Sequence, residues 1–221
     1  MDHSLANETG GAMVAYRGAI LHFRDDPQHA DASAVAYFDD GLLVVESGRV
    51  VTCGEYGETL GSVPGGIEVH DHRGHLIVPG FVDTHIHFAQ TDIIASYGKN
   101  VLDWLERHTF PAERRFSDGE HAAEVAEFAV DEMLRNGTTS SMVFATVHKG
   151  ATESVFRAAE SRGVSMIAGK VLMDRNCPEG LCESTEQGTA ESRELILKWH
   201  RKPGTRLRYA VTPRFAPTSS E

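Results

Sequence analysis

The sequence has few cysteines, no long apolar run and no excess of basic residues. Three cysteines among 221 residues are an odd, low number that fits reduced thiols and predicts a cytoplasmic protein. No stretch of about 18 apolar residues is present, so no membrane span and no membrane partner are predicted. The net charge of −11 argues against nucleic-acid partners, because phosphate backbones bind to basic surfaces.

The first residues also lack the pattern of a secretory signal. Residues 1–12 have no basic start followed by an apolar segment, and their composition predicts a disordered N-terminus. Cys177 and Cys182 lie in a polar loop, RNCPEGLCES. They could pair or bind a metal, and free thiols are the expectation for such a loop.

Several catalytic motifs are absent. H-x-E with P-C-x-x-C, which marks one design of zinc deaminase, does not occur. H-E-x-x-H, G-x-S-x-G and the phosphate-binding loop are also missing, so nothing supports a metalloprotease, a serine hydrolase or a nucleoside-triphosphatase.

The patterns that are present divide the chain into two regions. Residues 13–75 read as short strands, with a hairpin turn at SGR, and predict a small β unit. In residues 76–221, strands alternate with helices four times. This alternation predicts an α/β fold with a parallel sheet covered by helices. An open sheet and a barrel both fit this periodicity.

The length of the second region matters for this choice. An eight-stranded βα barrel usually needs about 250 residues, whereas this region offers about four βα units before TPRFAPTSSE. We therefore expect a truncated chain. Because half a barrel would expose a sheet edge, one hypothesis is a non-catalytic truncated product.

Two histidine clusters could carry chemistry. In FVDTHIHFAQ, His85 and His87 stand at the end of an apolar strand, where alternate residues face the same way and lie roughly 7 Å apart. Such a pair can converge on one cation. HDHRGH, residues 70–75, precedes a turn and opens a strand, so a solvated surface cluster is predicted there.

VPGFVDTHIH resembles the end of the first barrel strand in the amidohydrolase superfamily, and residues 13–75 resemble part of its small β-sandwich. Within that superfamily, the guanine deaminases are the group most similar to LDWLERHTFPAE, RNGTTSSMVFAT, GKVLMDRNCPEGL and TPRF. The resemblance implies the N-terminal half of a (β/α)8 TIM-like barrel over residues 76–221, preceded by a small β-sandwich portion.

The resemblance also implies a site. His85 and His87 would bind zinc, with one Zn²⁺ in each complete active site. The implied substrate contacts are His87, Phe88, Ala89, Gln90, Arg214 and Phe215. Arginine and glutamine suit this task, because arginine donates to a carbonyl oxygen and glutamine offers both a donor and an acceptor.

The implied activity is zinc-dependent hydrolytic deamination of guanine to xanthine and ammonia. The general acid–base glutamate is expected beyond residue 221, and the family suggests a homodimer. The alternative enzyme is another deaminase or a chlorohydrolase of the same superfamily. Lys170 is interpreted as structural, and no role is assigned to Asp83, His108 and His148. The large aromatic residues expected in a core or an interface are Trp104, Phe110 and Trp199.

Overall fold

The computed structural model describes residues 13–220, which fall into two compact units divided after Pro79. The sequence places this boundary after residue 75, four residues earlier. The expected disorder of residues 1–12 lies outside the described residues. None of the helices within residues 13–220 is both long and apolar enough to cross a bilayer.

The first unit contains a four-stranded sheet in the order β3-β2-β1-β4. Its elements are β1 (Met13–Phe23), β2 (Val35–Glu46), β3 (Arg49–Glu55), α1 (Tyr56–Gly61) and β4 (Glu68–Ile77). β1 pairs antiparallel with β2 and parallel with β4. Ser47 and Gly48 have φ values of 51° and 73°, so β2 and β3 are joined by the short hairpin turn that the sequence predicts.

The HDHRGH cluster was expected to open a strand, but it lies in the middle of β4, which begins at Glu68. The partners of β1 on β4 jump from Asp71 to Leu76. The intervening residues form a bulge around Gly74, whose φ of +85° suits glycine. His70, His72 and His75 are all exposed. The cluster is therefore on the surface, although a bulge and not a strand start places it there.

The second unit, residues 80–220, is built from parallel strands and helices. Its elements in chain order are β5 (Phe81–His87), α2 (Val101–Trp104), α3 (Phe110–Arg114), α4 (Gly119–Arg135), β6 (Thr138–Phe144), α5 (Lys149–Arg162), β7 (Ser165–Gly169), β8 (Val171–Leu172), α6 (Thr185–Trp199), β9 (Leu207–Tyr209) and β10 (Thr212–Pro213). The main sheet has the order β5-β6-β7-β9, and all its neighbours are parallel. Strands that follow each other in chain order form a barrel wall, whereas a doubly wound sheet reverses its order.

The helices of this unit begin and end at residues that cap them. Asp118 accepts hydrogen bonds from the backbone N–H groups of Glu120 (2.9 Å) and His121 (3.4 Å) at the start of α4. α5 ends at Gly163, which adopts the left-handed φ of 67°. Beneath the helices, the buried rings of Phe156 and Trp199 stack with their centroids 5.2 Å apart. Trp199 is thus a core residue, as predicted.

Three apolar segments whose sequence pattern predicts a single strand are each broken in two, namely LIVPGFVDTHIHF, VSMIAGKVLMD and LRYAVTPRFAP. LIVPGFVDTHIHF divides at Pro79 and Gly80, so that its first residues end β4 and β5 begins at Phe81. Lys170 separates β7 from β8, and residues 210–211 separate β9 from β10. Next to the break between β7 and β8, the backbone oxygen of Ala210 approaches Gly169 so closely that a side chain at position 169 would collide with it.

The expectation of free loop thiols is wrong for two of the three cysteines. Cys177 and Cys182 form a disulfide in the loop between β8 and α6. Asn176 (φ 48°) and Gly180 (φ 81°) turn this loop back on itself and bring the two Cα atoms to 5.4 Å, within disulfide range. Cys53 is free and half-buried.

Candidate functional site

The histidine pair of FVDTHIHFAQ stands at the carboxyl end of β5. The ring centroids of His85 and His87 are 5.0 Å apart. The pairing of β5 with β6 is irregular between Asp83 and Ile86, and the Asp83 carboxylate accepts a hydrogen bond from the backbone N–H of His85 (3.0 Å). Asp83 therefore contacts the backbone that carries the histidines.

An aromatic ring packs against both histidines, and burial determines the protonation state of His87. Phe144, at the end of β6, stacks on His87 with centroids 5.1 Å apart and also contacts His85 at 5.5 Å. Burial lowers the pKa of His87 from 6.5 to about 4, with smaller contributions from the positive charge of Arg214 and from His85. His87 is therefore a neutral imidazole at neutral pH, which is the form that binds metals.

The donor atoms in this region fit part of a zinc site. The Nδ1 atom of His87 is buried and has no hydrogen-bond partner within residues 13–220. In that same part of the chain, no group of three or more histidine, cysteine, aspartate or glutamate residues could hold a metal ion. A zinc site usually has four ligands, so His85 and His87 would supply two of them.

A cavity of about 440 Å³ opens beside the histidine pair. The 3-10 turn Phe88–Ile93 after β5 contributes Gln90 to its wall. Trp104 also lines it, with the indole Nε1 donating to Ser96 Oγ at 2.8 Å. Trp104 is half-buried and lies outside the hydrophobic core of the described residues, and its expected place at an interface stays a prediction.

Two residues of the predicted pocket segment point elsewhere. As whole residues, Phe88 and Ala89 are each 1% exposed, and both belong to the hydrophobic core. Phe88 meets Phe116 edge to face at 5.3 Å. Neither residue lines the cavity beside the histidine pair, so their predicted role in substrate binding stays a prediction.

Gln90 and Arg214, predicted from opposite ends of the region, meet at a third residue. The Nη1 atom of Arg214 lies 2.8 Å from both carboxylate oxygens of Glu113. The Nε2 atom of Gln90 donates to Glu113 Oε1 at 3.1 Å. Phe215 follows Arg214, with its ring centroid 5.5 Å from the guanidinium carbon, and is 43% exposed. We call Gln90, Glu113 and Arg214 the carboxylate bridge.

Glu113 is not among the residues predicted from the sequence, although a signal for it exists. Residues 101–117 form one helical run, with a π-helical segment at Leu105–Thr109 between α2 and α3. The buried positions of this run recur at helical spacing, and they are Leu105, Thr109, Ala112, Glu113 and Phe116. A carboxylate on an otherwise apolar stripe indicates a buried partner.

The other polar residues without an assigned role lie outside this bridge. The ring nitrogen Nε2 of His108 lies 3.0 Å from the backbone oxygen of Tyr97. Burial, and then the charge of Lys170, lower the pKa of His148 at the start of α5. Lys170 is fully buried and forms ion pairs with Glu183 and Glu191, an arrangement that agrees with a structural role.

A wall of parallel βα units with an H-x-H pair at the end of its first strand defines the class of metal-dependent βα-barrel hydrolases. Residues 76–221 match the amidohydrolase family, and the chain belongs to that metal-dependent family. The α/β partial barrel and the resemblance inferred from the sequence are thus confirmed.

Guanine deaminases are prominent among the proteins similar to this chain. It is 48% identical over 211 residues to the guanine deaminase of Escherichia coli (strain K12), covering 94% of this chain and 47% of that protein. A guanine deaminase structure from Bradyrhizobium japonicum has a TM-score of 0.88 at 35% identity, covering 95% of this chain and 45% of that one. The C. acetobutylicum enzyme with guanine in its active site has a TM-score of 0.81 at 28% identity, with coverages of 94% and 48%. The chain spans about half the length of the relatives it matches.

Proposed function

We propose that these residues form part of a zinc-dependent guanine deaminase, which hydrolyses guanine to xanthine and ammonia. The observation that carries this proposal is the position of the His85–His87 pair beside Gln90 and near the charge of Arg214. The similarity to guanine deaminases over 94% of the chain supports the choice of substrate.

In the proposed site, different residues bind the metal and the substrate. His85 and His87 would hold zinc, and Phe144 fixes the plane of the His87 ring by stacking. When bound, zinc lowers the pKa of a water molecule and so supplies a nucleophile near neutral pH. Gln90 and Arg214 would bind and orient the base through its hydrogen-bonding edge.

The reaction replaces a carbon–nitrogen bond of the base with a carbon–oxygen bond, and the exocyclic nitrogen leaves as ammonia. A carboxylate must move the water proton to the leaving nitrogen. Glu113 is not assigned this task, because both its oxygens are engaged by Arg214. The homodimer and the cytoplasmic location stay predictions.

The experiment uses the complete gene product that carries these residues. We expect it to contain about one zinc ion per chain and to release ammonia from guanine. The His85→Ala/His87→Ala double variant should lose zinc and activity together. The matched control, His70→Ala/His72→Ala, removes the exposed histidine pair of β4 and should retain both.

Substrate choice is tested with the same preparation. Cytosine, adenosine and an amino-triazine are compared with guanine as sources of ammonia. A zinc-loaded protein that does not turn over guanine contradicts the proposal. Faster turnover of one of the other amines would instead support another member of the superfamily.

A further inference from the structure

Glu113 is a buried acceptor shared by two residues that the proposed function assigns to substrate binding. Its side chain is 2% exposed and that of Arg214 is 3% exposed. One guanidinium nitrogen contacts both its oxygens at 2.8 Å, and the amide nitrogen of Gln90 contacts one of them at 3.1 Å. The bridge thus joins the turn after β5, helix α3 and the residue after β10.

Stability alone does not account for this arrangement. A buried ion pair loses hydration of both charges, and a well-packed apolar pair of similar volume is often as stable or more stable. Glu113 lies on a helix face whose other buried members include Ala112 and Phe116, where an apolar side chain would pack. The carboxylate therefore has a use other than packing.

The first use concerns the amide of Gln90. An amide can present either its oxygen or its nitrogen, because the two ends have nearly the same shape. An ionised carboxylate only accepts hydrogen bonds, so Glu113 pulls the Nε2 end of Gln90 towards itself. The carbonyl end of Gln90 is then left for the cavity that Gln90 lines.

The second use concerns the guanidinium of Arg214. Glu113 engages only Nη1, and within residues 13–220 neither Nε nor Nη2 of Arg214 makes a hydrogen bond. In the proposed function, these atoms would donate to the ligand. The bridge therefore leaves one acceptor, from Gln90, and charged donors, from Arg214.

We propose that Glu113 is a positioning residue that fixes the hydrogen-bond polarity of the substrate pocket. With Glu113 in place, the pocket suits a base edge that carries an N–H donor and a carbonyl acceptor. This inference rests on the proposed function, because it specifies how that same site recognises guanine. Glu113 acts through Gln90 and Arg214 and does not contact the substrate itself.

The kinetic experiment again uses the zinc-loaded complete gene product. Glu113→Gln keeps the shape, but it removes the charge and offers a donor to Gln90. Loss of a hydrogen bond to a charged group predicts a KM for guanine raised about 10- to 100-fold, with a much smaller change in kcat. Glu106→Gln, an exposed residue of the same helical run, is the matched control and should change neither constant.

A double variant that exchanges the amide and the carboxylate distinguishes an effect on hydrogen-bond polarity from a general loss of structure. In Gln90→Glu/Glu113→Gln, the new amide can donate to residue 90 and accept from Arg214, and residue 90 still presents an oxygen to the cavity. We expect this double variant to return KM towards the parent value. An unchanged KM in Glu113→Gln, or equal damage in the single and double variants, would overturn the proposal.

A second measurement tests whether Glu113 holds Arg214 in place, and it does not depend on guanine being the substrate. Hydrogen exchange of the Arg214 guanidinium protons is followed by NMR and assigned by their loss in Arg214→Lys. We expect exchange slower than in the exposed Arg201, and clearly faster exchange in Glu113→Gln. A parent protein inactive on guanine overturns the proposed function only, whereas Arg214 exchange that does not respond to Glu113→Gln overturns the role of Glu113.

Discussion

Replacing Lys170 by methionine tests how a buried charge is held in the second unit. Lys170 is 0% exposed, and it pairs with Glu183, whose side chain is 7% exposed, and with Glu191 at 3.5 Å. The Oε1 atom of Glu183 is buried and has no hydrogen-bond partner within residues 13–220. Lys170→Met would therefore leave a buried carboxylate without its cation.

The expected size of the effect follows from this burial. Removing one partner of a buried pair destabilises a protein by about 3–5 kcal/mol, whereas replacing both partners by apolar residues is often neutral or stabilising. For a chain of this size, one kcal/mol lowers Tm by about 2–4 °C, so Lys170→Met should lower Tm by about 6–20 °C. Lys170→Met/Glu183→Met should stay within about 1 kcal/mol of the parent.

The loss should also depend on pH in a defined direction. Burial raises the pKa of Glu183, and Lys170 opposes this shift, so removing Lys170 raises the pKa further. A carboxyl group whose pKa is higher in the folded state favours folding below its unfolded pKa of about 4.3. That contribution is lost as pH rises through the folded pKa. Lys170→Met should therefore be most destabilised at neutral pH and less so near pH 5.

The assay is urea unfolding followed by tryptophan fluorescence at the two pH values. Both tryptophans, Trp104 and Trp199, lie in residues 80–220, so the signal reports on the unit that contains Lys170. A loss below about 1 kcal/mol in Lys170→Met, or a double variant as unstable as the single one, would refute the reasoning. A loss that grows as the pH is lowered would refute the account of Glu183.

Two further predictions concern packing and the disulfide. Phe156→Ala removes a fully buried ring from its stack with Trp199 and should lower the free energy of unfolding in urea by about 3–5 kcal/mol. Phe128→Ala, at a position 52% exposed on α4, is the control and should lower it by less than about 0.5 kcal/mol. Equal losses in the two variants would contradict the assigned core. The disulfide closes a loop with a sequence separation of 5, and reducing it should lower the free energy of unfolding by about 2 kcal/mol on the loop-entropy relation. Thermal unfolding is measured with and without reductant, and Cys177→Ser/Cys182→Ser serves as the variant without the disulfide. An unchanged Tm on reduction would contradict the disulfide.

The features predicted well from the sequence are those with local causes. The segment TESVFRAAESRG predicts a helix that ends at Gly163, and α5 does end there, because Gly163 adopts a conformation that few other residues tolerate. The apolar spacing in DGEHAAEVAEFAVDEMLRNG predicts the helix α4, and in the structure the Asp118 side chain caps its start. The histidine pair at the end of β5 was found because alternation along a strand needs no knowledge of the rest of the fold.

The features that were missed depend on contacts between distant residues. The break between β7 and β8 reflects the approach of Ala210 to Gly169, which periodicity does not reveal. The role of Glu113 depends on Arg214, 101 residues later. The disulfide is not predicted from the sequence, because the number of cysteines indicates only a reducing cellular compartment. Whether the two thiols come together depends on two turns within one loop.

The long separation within the carboxylate bridge has a consequence for how the chain acquires its structure. Glu113 precedes Arg214 by 101 residues, which at about 5–20 residues per second corresponds to roughly 5–20 s of synthesis. Until Arg214 arrives, burying Glu113 would strand a charge in an apolar setting. We expect α3 to stay undocked in nascent chains that end before β10, which limited proteolysis of stalled ribosome complexes would show. On this expectation, the wall of the pocket forms only after the last strand of this region has been made.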